Sequence, residues 1–173
     1  MKVIIAEKPS VAQQIAAVVG ATARKDGYIE GGGYAVTWAF GHLVGPAMPE
    51  AYGIEGFKRE NLPILPETFI LEPRRVKSDK EYKPDPGAVK QLAVLKELFS
   101  RAERIVAATD AGREGELIFR FIYHYLDCKT PFDRLWISSL TERAIREGLA
   151  NIRPGSEYDD LYLSARARCE ADW

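Results

Sequence analysis

Between residues 105 and 125 the hydrophobic pattern changes period, and the junction is filled with acids and glycine. Ile105 to Ala108 is a short apolar run compatible with a buried strand, whereas Leu117, Ile118, Phe121, Ile122 and Tyr125 recur at helical spacing. Joining them is Thr109-Asp110-Ala111-Gly112-Arg113-Glu114-Gly115-Glu116. Strands that run straight into helices build parallel α/β sheets, whose ligands bind beyond the carboxyl ends of the strands. Asp110 stands at such an end. Glu114, one turn before Leu117 and Ile118, is expected to face back over it. Two hard oxygen ligands there suit Mg²⁺, which binds through one or two carboxylates, retained waters and phosphate oxygens. The alternative is structural, with Asp110 capping the helix and Glu114 and Glu116 complementing its positive N-terminus.

A second junction of the same kind opens the chain. Lys2 to Ala6 is an apolar strand, Glu7 stands at its carboxyl end, and Pro9 occupies the favoured first position of a helix. Ala12, Ile15, Ala16 and Val19 form the expected buried stripe of that helix, and Gly20 its stop.

The rest of the chain reads as one domain, for which 173 residues with 46% apolar content suffice. Gly31-Gly32-Gly33 matches no phosphate-binding spacing and is read as a hairpin turn before a strand over residues 34–40. Residues 46–86 hold seven of the ten prolines and are expected to form an irregular excursion. In its later part, Glu72 to Lys83, Arg74, Arg75, Lys77, Lys80 and Lys83 outnumber three acids, which fits either a phosphate-following segment or a solvated charged edge. Asp85 is expected to cap a helix from Pro86 that buries Val89, Leu92, Leu95 and Phe99. Arg134 to Ser138 reads as a strand and Thr141 as the cap of a helix over residues 142–150. Ser156-x-x-Asp159 has the form of a capping box for a last helix.

Composition narrows the function. A net charge of −1 argues against binding nucleic acid through overall positive charge, so any such contact must be local. The two cysteines, Cys128 and Cys169, have neither zinc nor disulfide spacing. No run approaches a membrane span and no signal-peptide pattern leads the chain, so the expected location is cytoplasmic.

In this order, Met-Lys-Val-Ile-Ile-Ala-Glu-Lys-Pro-Ser at 1–10, Gly41-His42-Leu43, Ala108-Thr109-Asp110, Arg113-Glu114-Gly115-Glu116 and Ala165-Arg166-Ala167-Arg168 with Asp172-Trp173 resemble a type IA DNA topoisomerase of the topoisomerase III branch. The resemblance implies a Toprim domain over residues 1–153, a Rossmann-like, mostly parallel sheet of about four strands with helices on both faces. Residues 154–173 would lead by a helix into the next topoisomerase domain. It further implies Mg²⁺ held by Asp110 and Glu114 with Glu7, Glu7 as general acid, Lys8 as anchor of the scissile phosphate, and DNA contacts from Lys8, His42 and Arg113. The partner would be DNA, mainly single-stranded. The nucleophilic tyrosine of the family would lie outside these residues. The family pattern is D-x-D-x-E, and here Gly112 stands where the middle acid is usual. An acid at Gly112 is expected to tighten metal binding provided the backbone there does not need a positive φ. The rival readings are a Toprim primase or nuclease using the same carboxylates without a tyrosine, and a non-catalytic nucleic-acid-binding module.

Overall fold

The structure, a computed structural model, describes residues 1–173. Its centre is four parallel strands: β1 (Lys2–Ala6), β4 (Tyr34–Trp38), β9 (Arg104–Ala108) and β10 (Phe132–Arg134). β1 lies between β4 and β9, and β10 flanks β9 on the far side. Antiparallel strands widen this core at both edges. β2 (Ala23–Lys25) and β3 (Tyr28–Gly31) extend it beyond β4, and β11 (Arg153–Pro154) extends it beyond β10, giving seven strands rather than the four expected. The edge strands are short and polar, and all three residues of β2 are exposed, so no apolar alternation marks them.

Both faces of the central strands are covered, which explains their unbroken apolar runs. On one face, Val3 and Ile5 of β1 and Ile105 and Ala107 of β9 pack with three helices. Those are α2 (Pro86–Arg101), α3 (Arg113–Tyr125) and α5 (Asp159–Asp172), which contribute Leu95 and Phe99, Leu117 and Phe121, and Tyr162 and Ala165. On the other face, Ile4, Ala6, Val106 and Ala108 pack against Ala12, Ile15 and Ala16 of α1 (Pro9–Val19) and Ile145 of α4 (Glu142–Ala150). Asp85 caps α2 by accepting from the Gly87 N–H, and Thr141 caps α4 by accepting from the Ala144 N–H, as expected. No helix is long and apolar enough to cross a membrane.

Several local expectations are corrected. The strand expected to reach Phe40 ends at Trp38. The strand expected over Arg134–Ser138 lies upstream at Phe132–Arg134; only Leu135 continues the ladder, through its N–H to the Ala107 carbonyl. Val89 is exposed, and Gln91 takes an inward place on α2, donating to the carbonyls of Gly27 and Trp38. Ser156 does not cap the last helix: Gly155–Tyr158 forms a 3₁₀ turn, and Asp159 pairs with Arg120 instead.

The proline-rich excursion is more ordered than its composition suggests. β5 (Val44–Pro46) pairs with β6 (Leu71–Pro73), and β7 (Arg75–Ser78) pairs with β8 (Glu81–Pro84) as a separate hairpin. Between β5 and β6 the segment closes on Trp173. The indole meets Tyr52, Phe57 and Phe69 edge to face at centroid distances of 5.9, 4.9 and 5.1 Å, and its N–H donates to the Ala47 carbonyl at 2.9 Å.

Candidate active site

β4, β1 and β9 finish level, with Trp38 beside Ala6 and Ala6 beside Ala108. Three chain segments therefore emerge together at one end of the sheet. After β1 comes Glu7, only 9% exposed; after β9 comes Asp110, exposed. The Asp110 N–H donates to Glu7 Oε1 at 3.2 Å, so the two acids expected at separate strand ends are brought together. After β4, Ala39 and Gly41 donate to the carbonyls of Ala6 and Glu7, which carries His42 into the same region.

Burial, first of all, and then the Asp110 carboxyl beside it hold the Glu7 proton above the usual carboxylate range; the Asp110 N–H and the Lys8 ammonium pull the other way. Such a carboxyl keeps a proton to give at a pH where an ordinary glutamate has lost it. Lys8 is exposed at the N-terminus of α1 and makes no ion pair. Arg113, the first residue of α3, is likewise exposed and unpaired. Two free cations thus flank the acids.

Glu114 is not gathered with Asp110. Its Oε1 lies 2.7 Å from His42 Nε2, and no group of three metal-capable side chains is preassembled in the chain. The physical reason is that an imidazole nitrogen can donate to the Glu114 carboxylate, whereas a second carboxylate repels it. The donors that are present, Glu7 and Asp110 side by side with Glu114 in the first turn of α3, are hard oxygens of the kind Mg²⁺ takes, and that ion needs only one or two of them. His42 is itself fixed from behind. Arg74 Nη1 donates to the carbonyls of Phe40 at 2.7 Å and His42 at 3.3 Å, while its Nε donates to Asp85 at 2.7 Å. Arg74 is therefore a strut and leaves the group of cations that could follow a phosphate backbone.

Two glycines shape the junction after β9. The Thr109 hydroxyl donates to the Gly115 carbonyl at 2.7 Å, and the first turn of α3 is pressed so closely on the strand end that a Cβ on Gly115 would overlap the Asp110 carbonyl. Gly112 has open space around it but φ +154° and ψ 178°, a backbone state that essentially only glycine adopts. The condition attached to an acid at this position is thus not met. Gly112→Asp and Gly112→Ala are each expected to lower stability by about 1–3 kcal/mol through backbone strain. Urea denaturation checks this, and an unchanged midpoint for Gly112→Ala would show that the junction accepts an ordinary φ.

Beneath the acids lies a charged network that sequence reasoning missed. Arg134, 1% exposed at the end of β10, donates from Nη1 to the Thr109 hydroxyl at 2.7 Å and from Nη2 to the carbonyls of Thr109 at 2.9 Å and Asp110 at 2.8 Å. Its Nε sits 3.3 Å from Glu116 Oε2, at ion-pair distance without hydrogen-bond alignment. Glu116, fully buried, accepts through Oε1 from Arg120 at 2.8 Å, and Arg120 reaches on to Asp159 at 2.8 Å and the Gly155 carbonyl at 2.9 Å. The Glu116–Arg120 pair is separated by one helical turn and was readable as such. Arg134 was not, because its partners are distant in sequence. The network holds the peptide of Asp110 from below.

Beside the acids lies a cleft of about 1220 Å³ between the excursion, α3 and α5, lined by His42, Arg113 and Glu114 and by Arg75 and Tyr82 of the hairpin, but not by Glu7, Lys8 or Asp110.

Comparison with known proteins bears on the family and the fold. The model of the Toprim domain matches residues 2–140. DNA topoisomerase 3 of Bacillus cereus is 47% identical over 174 residues, covering 99% of this chain and 22% of its own length. DNA topoisomerase 3 of Bacillus subtilis is 47% identical over 173 residues, covering 99% and 23%. The full-length topoisomerase I of Thermotoga maritima superposes with a TM-score of 0.50 at 25% identity, over 88% of this chain and 21% of that one. The chain thus spans about a fifth of the length of the curated relatives it matches. With a family match over most of its residues and the parallel sheet and strand-end acids to accompany it, the chain belongs to the Toprim domain family.

Proposed function

We propose that this chain is the Mg²⁺-binding Toprim domain of a topoisomerase III-like type IA DNA topoisomerase, an isomerase that cuts one DNA strand, passes another through and reseals the break. The observation that carries the reading is the Glu7–Asp110 contact at two adjacent strand ends, flanked by the unpaired Lys8 and Arg113. A buried carboxyl whose proton affinity burial raises is placed beside an exposed one that can take a cation. Residues 1–153, including the excursion at 46–86, form the Toprim unit, and residues 154–173 lead toward the next topoisomerase domain. The protein acts in the cytoplasm on DNA, mainly single-stranded.

In this reading a tyrosine supplied from outside these residues, its phenolic proton lost to solvent and regained on resealing, attacks the scissile phosphorus. Its oxygen–phosphorus bond forms as the bond to the 3′ oxygen breaks, leaving a 5′-phosphotyrosine. Glu7 gives its proton to the departing 3′ oxygen and takes it back when that hydroxyl attacks to reseal. Lys8 holds the scissile phosphate as a point charge, and His42 and Arg113 contact neighbouring phosphates. Asp110 and Glu114, with Glu7, would hold Mg²⁺, which offsets phosphate charge and orients the broken end for resealing. To do so Glu114 would have to leave His42.

The test uses Glu7→Gln in the full-length protein, since the amide keeps the shape and the acceptor for the Asp110 N–H but has no proton to give. Cleavage of single-stranded DNA is expected to slow by about 10²–10⁴-fold with DNA binding retained. Because Glu7 holds its proton above the usual range, wild-type cleavage should fall as pH rises through that raised value, and the variant should lack this limb. Cleavage unchanged by Glu7→Gln would remove Glu7 from the role. Nicking of supercoiled DNA by the isolated chain with Mg²⁺ would favour a nuclease.

A further inference from the structure

The β7–β8 hairpin contributes nothing to the core: all eight of its residues are exposed. A two-stranded hairpin is marginal by itself. This one is clamped only at its base, where Arg74 ties to His42 and Asp85 and the Asp85 N–H donates back to the Arg74 carbonyl at 2.8 Å. Its body stands free beside the site.

The register sorts its side chains. Lys77 pairs across from Tyr82 and Arg75 from Pro84, so these four share one face, while Val76, Ser78, Glu81 and Lys83 share the other. Arg75 and Tyr82 of the first face line the cleft together with Arg113, and Glu81 of the other face also reaches it. Tyr82 is 67% exposed, and nothing stacks on it. Arg75 is already held by Glu72, but Lys77 beside Tyr82 and Lys80 at the tip of the turn have no acidic partner. An uncovered aromatic ring next to unpaired ammonium groups is the chemistry that binds an unpaired base and its phosphates. A duplex keeps its bases stacked and offers no face to such a ring. The cleft, at about 1220 Å³, also exceeds the roughly 300–1,000 Å³ of small-molecule pockets.

We propose that the hairpin is a strand guide: Tyr82 stacks a base, and Lys77 and Lys80 hold phosphates, of single-stranded nucleic acid running along the cleft past Arg113 to the acids. The inference rests on the proposed function and adds a docking element to it.

The experiment titrates the 173-residue chain into a 3′-labelled oligo-dT and into a labelled duplex, followed by fluorescence anisotropy at low salt. Tyr82→Ala is expected to weaken oligo-dT binding about tenfold, within the range of base–aromatic stacking, whereas Tyr82→Phe keeps the ring and stays within about twofold of wild type. Lys77→Ala with Lys80→Ala should lower the slope of log affinity against log salt by about 1.4, roughly 0.7 for each single-strand phosphate that is no longer neutralised. Arg143→Ala serves as control, its side chain 88% exposed on α4 across the sheet. The exposure of all these positions leaves folding intact, which circular dichroism verifies. Oligo-dT binding that ignores Tyr82 and both lysines, or that falls as much in Arg143→Ala, overturns the guide and leaves the proposed function standing. A wild-type chain that binds neither DNA overturns the guide and counts against the proposed function as well.

Discussion

Glu116→Ala is expected to lower the stability of the chain by about 3–5 kcal/mol, the largest effect of any single substitution near the site. Glu116 is the acid that ion-pairs with Arg134, and it shares Arg120 with Asp159. Both arginines are buried, and Arg120 is held between the rings of Phe132 and Tyr162, 4.8 and 5.2 Å from their centroids. Neither can turn to water. Removing the acid therefore leaves one uncompensated buried positive charge and weakens the pairing of a second. The loss should show as an earlier urea midpoint with an unchanged slope. Glu116→Gln should recover part of it, because the amide still accepts from Arg120. A loss under about 1 kcal/mol for the alanine variant would mean that water already reaches the network and that its charges are solvated.

Gly115→Ala is expected to be nearly as damaging, for a different reason. An added methyl would sit 2.7 Å from the carbonyl carbon of Asp110 and overlap its oxygen, and both partners are backbone that cannot swing aside. Either α3 moves outward or the Asp110 peptide turns. The first breaks the Thr109–Gly115 hydrogen bond, and the second breaks the bond from Arg134 to the Asp110 carbonyl. Overpacking of this kind costs about 3 kcal/mol, the upper part of the usual range. The same shift moves the Asp110 N–H away from Glu7 Oε1, so divalent-cation binding measured by calorimetry should weaken together with stability. A stable Gly115→Ala variant with undiminished binding would show that α3 does not press on the strand end as described.

These two positions mark where sequence reading succeeds and where it stops. β1, β9, α1 and α3 were legible because each has one environment along its length, an apolar run for strands buried on both faces and a helical stripe for helices buried on one. The acids at their ends followed from position alone. The expected strand starts too late, at Arg134, because Asp133 looks like a surface residue, yet it is paired with Arg104 at 2.6 Å; Arg134, inside that expectation, gives no sign that it is spent on Thr109, Asp110 and Glu116. Hydropathy does not reveal a charge whose partner is distant in sequence. The β7–β8 hairpin was read as irregular for a related reason: it buries nothing, so no alternation marks it. Glu114 shows the limit for the site itself. Its place in the first turn of α3 was foreseen, but its choice of His42 over Asp110 depends on a loop that β4 delivers 72 residues earlier in the chain.

The enclosure of Trp173 by the excursion bears on how this part of the molecule fluctuates. Residues 47–70 have little core of their own, and Tyr52, Phe57 and Phe69 find their common neighbour in one indole at the end of α5. Displacing Trp173 would remove that neighbour and, at the same moment, the donor to the Ala47 carbonyl. The segment and the helix end therefore open as one cooperative unit, at a smaller free energy than the sheet, whose strands are closed on both faces. One wall of the cleft is thus governed by a local equilibrium that can shift while the carboxylates at the strand ends stay where they are.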